Sequence, residues 1–118
     1  MAYVDGFVIP MPKSAVPAYR KIAKKASKVW IEHGALQYVE AVGDDMDIKQ
    51  VKSFLSLAKV KRGETVVFAW ILYKSKAHRN AVNKKVMADP RIANFDPQTM
   101  PFDMRYMAYS GFKVIVQA

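Results

Sequence analysis

The chain has no cysteine, which excludes disulfides, thiolate metal sites and cysteine nucleophiles together. Glycine occurs only five times, and nowhere as a glycine-rich phosphate loop or a Gly-x-Ser-x-Gly elbow, so nucleotide and serine-hydrolase readings lack their signatures. Histidine is scarcer still. His33 and His78 stand far apart, without His-x-x-x-His or Glu-x-x-His spacing, and no transition-metal site or other cofactor is expected. Asp44, Asp45 and Asp47 lack the distal Glu of a calcium loop and read as a solvated turn. Long apolar runs are also missing: the longest, Thr65 to Tyr73, is strand length and about half of a membrane-spanning helix, so no membrane partner is expected. The opening residues, Met1-Ala2-Tyr3-Val4-Asp5-Gly6-Phe7, have no basic lead and carry an acid, unlike a secretory signal. A cytoplasmic protein is the expectation.

What is present describes a folded protein. Hydrophobic residues make up 52% and charged residues 25% of 118, a length and composition that predict one domain over residues 1–118 with its own core. The net charge is +9. Lys13, Arg20, Lys21, Lys24, Lys25 and Lys28 fall on one side of a helical wheel, and Val16, Tyr19, Ile22, Ala23, Ala26, Val29, Trp30 and His33 on the other. The simpler reading of the basic side is a solvated face. Nucleic-acid binding is disfavoured, because no aromatic residues are interleaved there to stack bases.

Punctuation along the chain predicts the element order. A first strand over residues 2–9 is expected to close at Pro10-Met11-Pro12, since proline cannot donate into a ladder. The first helix follows, with Ser14 as its cap, Pro17 in its first turn and Gly34 as its stop. A second strand spans 36–42, a helical turn falls near 48–56, and a third strand runs 64–73. Ser75 caps a second helix that ends at Asp89-Pro90, residues 89–104 form a proline-punctuated loop, and a last strand covers about 106–117. The order βαββαβ is that of the α+β ferredoxin-like plait, a four-stranded antiparallel sheet with both helices on one face.

Residues 65–73 are apolar at nearly every position, so both faces of that strand must be covered while the helices cover one. Period-two reading assigns Val4, Gly6, Val8, Val39, Ala41, Val67, Ala69, Ile71, Phe112, Val114 and Val116 to the helix side. The other face then carries Tyr3, Asp5, Phe7, Tyr38, Glu40, Val66, Phe68, Trp70, Leu72, Tyr109, Gly111 and Lys113. So much aromatic surface predicts a homodimer packed sheet to sheet.

Several segments carry a family likeness. Tyr3-Val4-Asp5-Gly6-Phe7-Val8, Trp30-x-Glu32-His33-Gly34-Ala35-Leu36, Glu40-Ala41-Val42-Gly43-Asp44-Asp45, Glu64 to Trp70, Ala77-His78-Arg79-x-Ala81-Val82-Asn83, Val86 to Arg91 and Met100-Pro101-Phe102-Asp103 resemble the YbaA-like bacterial proteins, in the family's order. The resemblance implies a dimeric α+β barrel of the ferredoxin-like superfamily, where cofactor-free monooxygenases and isomerases also occur. It implies no activity, because the family is one of unknown function.

On that face assignment Asp5, Glu40 and Lys113 are candidate catalytic residues in a cavity lined by Tyr3, Tyr38, Phe68, Trp70 and Tyr109. A carboxylate in apolar surroundings has the basicity for proton abstraction beside a carbonyl, with lysine holding the oxyanion. The competing reading is an ion pair that sets register. His78 shares a stripe with Val82 and Val86, as a core histidine does, with Arg79 and Asn83 near enough in sequence to build an anion site. His33 ends the first helix, where a cation suits the macrodipole. Phe102, in Met100-Pro101-Phe102-Asp103-Met104, belongs to a lid over the cavity or a plug within it. The functional expectation is binding of a small apolar or carbonyl-bearing molecule, with carboxylate-based catalysis or non-catalytic sequestration as the two outcomes.

Overall fold

The computed structural model describes all 118 residues. Four strands, β1 (Tyr3–Pro12), β2 (Gln37–Val42), β3 (Glu64–Tyr73) and β4 (Ala108–Lys113), form one antiparallel sheet in the order β2-β3-β1-β4. Two long helices, α1 (Val16–Glu32) and α3 (Lys76–Ala88), pack on one face, and two single turns, α2 (Phe54–Leu57) and α4 (Pro90–Ala93), complete the set. This is the expected ferredoxin-like plait. It is not a barrel. β2 and β4 are opposite edges with two strands between them, so the sheet is open and the expected closure does not occur.

Local chemistry explains most boundaries. Pro17 sits in the first turn of α1, where an N–H has no partner, and Gly34 leaves the helix at φ 114°. The Ser75 hydroxyl caps α3 by accepting from the His78 N–H, as its position predicts. Ser14 does not cap α1; Lys13–Ala15 form a 3-10 turn that leads directly into the helix. β1 also runs on through both prolines to pair Met11 with Thr65 and Pro12 with Glu64. It does so because β4 pairs β1 only as far as Val8. The Lys13 N–H donates to Gly63 on the β3 side, so the nitrogens of Pro10 and Pro12, of opposite parity, point to the edge that β4 has vacated. The helical turn expected at 48–56 comes later, at α2, and β4 stops at Lys113.

The register decides which side chains meet the helices. Asp5 pairs with Ile71, Phe7 with Ala69, Tyr38 with Ile71, and Tyr109 with Phe7. The helix side therefore carries Tyr3, Asp5, Phe7, Ile9, Tyr38, Glu40, Tyr109 and Lys113 together with Val67, Ala69 and Ile71. The period-two assignment holds for β3 and is inverted in β1, β2 and β4. Small residues look like core and polar ones like surface, but here the helices supply partners for the polar groups. The uncovered face bears Val4, Val8, Phe68, Trp70, Leu72 and Phe112.

The buried core falls into two clusters under the helices. One gathers Ile9, Met11, Ala15, Tyr19, Ala23 and Val67. The other gathers Val29, Ala35, Ile71, Tyr73, Val82 and Val86. Phe7 touches both.

Candidate functional site

A cavity of about 820 Å³ opens between the sheet, α1 and the segment from α3 to β4. Its origin is steric: Ala23 and Ala26 on α1 and Ala69 on β3 line it, and their side chains stop at Cβ. Phe7, Ile71, Val29 and Trp30 add apolar wall, while Met87, Met100, Met104 and Met107 contribute unbranched thioethers from the far side. Of the 26 lining residues 19 are hydrophobic, so a bound molecule would be recognised mainly by its apolar body.

Two polar constellations stand on the sheet floor. Asp5 is 1% exposed, and its Oδ1 accepts from Arg79 Nη1 at 2.8 Å. The same Nη1 donates to the Tyr109 hydroxyl at 2.8 Å, and the guanidinium lies 4.9 Å from the centre of the Tyr3 ring. In the second constellation Glu40 accepts from two phenols, Tyr19 at Oε1 and Tyr38 at Oε2, the latter at 2.7 Å. Burial, then the hydrogen bond and charge of Glu40, pushes the Tyr19 hydroxyl far above the usual phenol range. Tyr38 is pushed up likewise, by burial first and by the Glu40 charge second. Nearby, Trp30 Nε1 and the Tyr73 hydroxyl both donate to Asn83 Oδ1 at 3.2 Å. No buried side-chain nitrogen or oxygen lacks a partner. Any ligand oxygen must compete with bonds already made.

The sequence-derived candidates are thus divided. Asp5, Glu40, Tyr38 and Tyr109 line the cavity, and Tyr3 supports it through Arg79. Lys113 lies on the same sheet face but is exposed at the edge strand, outside the lining. Phe68 and Trp70 are on the opposite face, where their rings lie 5.8 Å apart and Phe54 of α2 meets Phe68 edge-on. His78 does not join Arg79 and Asn83: its Nδ1 accepts from the Lys74 N–H at 2.9 Å and pins the turn into α3. His33 caps the end of α1 and contacts Asp89 at 2.9 Å. Phe102 packs edge-on against Tyr19, with Met100 and Met107 beside it on the core. Phe102 is not among the residues that line the cavity. No three His, Asp or Glu side chains converge as metal ligands.

Tyr19, Met87 and Met107 lie outside the candidates that the sequence offers, whereas Met100 and Met104 belong to the segment expected at the cavity as lid or plug. Tyr19 has a signal: a phenol on the inner stripe of α1 requires a buried acceptor. Met87 and Met107 have none, since their common destination depends on how the chain beyond α3 folds back.

Comparison with known proteins places the chain. The family described as "Protein of unknown function (DUF1428)" matches residues 2–104. The uncharacterized protein YbaA of Escherichia coli K12 is 44% identical over 116 residues, 98% of either chain, and a Shigella flexneri YbaA matches to the same degree. The chain belongs to this YbaA-like family. The family likeness read from the sequence is therefore correct, and the family's function is not established. Among solved structures, a dimeric ferredoxin-like protein from an uncultured marine organism superposes with TM-score 0.64 at 11% identity, covering 99% and 98% of the two chains. A NIPSNAP domain protein from Burkholderia xenovorans gives 0.58 at 14%, covering 98% and 97%. These likenesses show the fold that the YbaA-like chain shares with them. No helix in it is long and apolar enough to cross a membrane.

Proposed function

We propose that this YbaA-like protein binds a small, largely apolar molecule in the cavity between helices and sheet. The observation that carries the reading is the volume itself, about 820 Å³, within the range that holds small ligands and cofactors. Retention is favoured over chemistry. Asp5 is held by Arg79 and Glu40 by two phenols, and a carboxylate so engaged is a poor base until a substrate displaces its partners. A ligand carbonyl or hydroxyl oxygen would exchange with the phenol and indole hydrogen bonds at Glu40 and Asn83, both of which line the cavity. Native mass spectrometry of untagged protein, with solvent extraction of whatever accompanies it, tests the reading. Retained mass of a few hundred daltons supports it. Bare protein, together with no rise in Tm across a panel of aromatic and aliphatic ketones, alcohols and acids, overturns it.

The uncovered sheet face supports a second inference, that two copies associate through it. Phe68 is 41% and Phe112 56% exposed, beside Trp70, Val4 and Val8, and a continuous apolar surface of this kind favours association. The marine ferredoxin-like relative is described as dimeric.

A further inference from the structure

We infer that the cavity takes an amphipathic anion, an apolar body whose carboxylate or similar head group sits at the α1 rim; this rests on the proposed binding function. Lys25 and Lys28 are exposed on α1 yet line the cavity, so they stand at its mouth. Spaced three apart, they project on the same flank of the helix. Neither has an acidic partner. The third cation at the rim, Arg91, bonds Glu32 at 2.6 Å and Asp89 at 2.8 Å. Lys25, Lys28 and Arg91 are three cations against the two acids Glu32 and Asp89, so the rim keeps a net positive charge. Inside, Asp5 is neutralised by Arg79, while Glu40 keeps its charge and accepts a phenol at each oxygen. The cavity thus has a mostly apolar interior with two uncommitted ammonium groups at its entrance, and a head group held at that rim is favoured as an anion over a neutral group of the same shape.

Two probes with one aromatic skeleton separate the claims: anilinonaphthalene sulfonate, an anion, and phenylnaphthylamine, its neutral counterpart, followed by fluorescence on the whole chain. The sulfonate is expected to bind one site per chain, and the double variant Lys25→Gln/Lys28→Gln to weaken it roughly 5- to 10-fold, as two exposed charge contacts imply. The neutral probe should bind the variant and the parent alike. Decanoate should displace the sulfonate at lower concentration than decanol, and the difference should shrink at high salt. Equal binding of the sulfonate to parent and variant would overturn the anion assignment while leaving the cavity reading intact. Filling the cavity with Ala26→Trp, folded by circular dichroism, should abolish binding of both probes. If both probes still bind that variant, they sit elsewhere and both readings fall; if the variant does not fold, the decanoate and decanol competition decides.

Discussion

At the scale of single residues, the most consequential pair is Asp5 and Arg79. Their side chains are 2% and 14% exposed, and the bond joins β1 to α3 across the cavity floor. Removing one partner leaves the other charge buried and unpaired, which costs more than removing both. Arg79→Met is therefore expected to lower the unfolding free energy by about 3–5 kcal/mol in urea titration, and Asp5→Val combined with Arg79→Met to recover most of it. The buried phenols make a second prediction. Tyr19 and Tyr38 are driven up by burial and by Glu40, and Tyr73 by burial and then by the Asp5 charge. The unfolded chain releases phenolic protons near pH 10 while the folded chain keeps these three. Their contribution is complete below that pH and is lost as pH rises further. Tyrosinate absorbance should thus show a fraction of phenols ionising only together with loss of ellipticity. In Glu40→Gln, loss of that charge should bring the ionisation of Tyr19 and Tyr38 to lower pH, while burial still holds both above the ordinary phenol range.

Among elements, the ends of the two long helices are held by different means. α1 begins without a side-chain cap and ends at Gly34, φ 114°. A Cβ at that position would also meet His78 Nε2 at 3.4 Å and Val82 at 3.5 Å. Gly34→Ala is expected to destabilise by about 1 kcal/mol or more, seen as a lower urea midpoint at unchanged slope. α3 depends on Ser75, whose hydroxyl takes the His78 N–H; His78 in turn takes the Lys74 N–H. Ser75→Ala should cost about 1 kcal/mol, and hydrogen exchange at His78 should accelerate. Beyond α3, Arg91 binds both Asp89 and Glu32, tying α4 to the end of α1. The Arg91 and His33 hydrogen bonds hold the Asp89 carboxyl well below the usual carboxylate range.

For the whole molecule, the open sheet carries the decisive test. Phe68→Asp places a charge on the uncovered face, at a position already 41% exposed, so the monomer fold should survive. Light scattering after size exclusion should then report one chain where the parent is expected to report two. An unaltered dimer would place the contact elsewhere. The sequence by itself determined the element order: Pro17, Gly34, Ser75 and the apolar runs of β3, α1 and α3 are local chemistry, and the βαββαβ order restricts them to one plait. It also set the expectation that β3 is covered on both faces. Tertiary structure alone decided the rest. Whether Asp5 and Glu40 face helices or solvent depends on a one-residue choice of register, and that choice was settled by Arg79 and Tyr19, groups 74 and 21 residues away. The cavity likewise arises where alanines of α1 and β3 line one space and the methionine-bearing segment closes over them, a coincidence of distant small residues that no local pattern encodes.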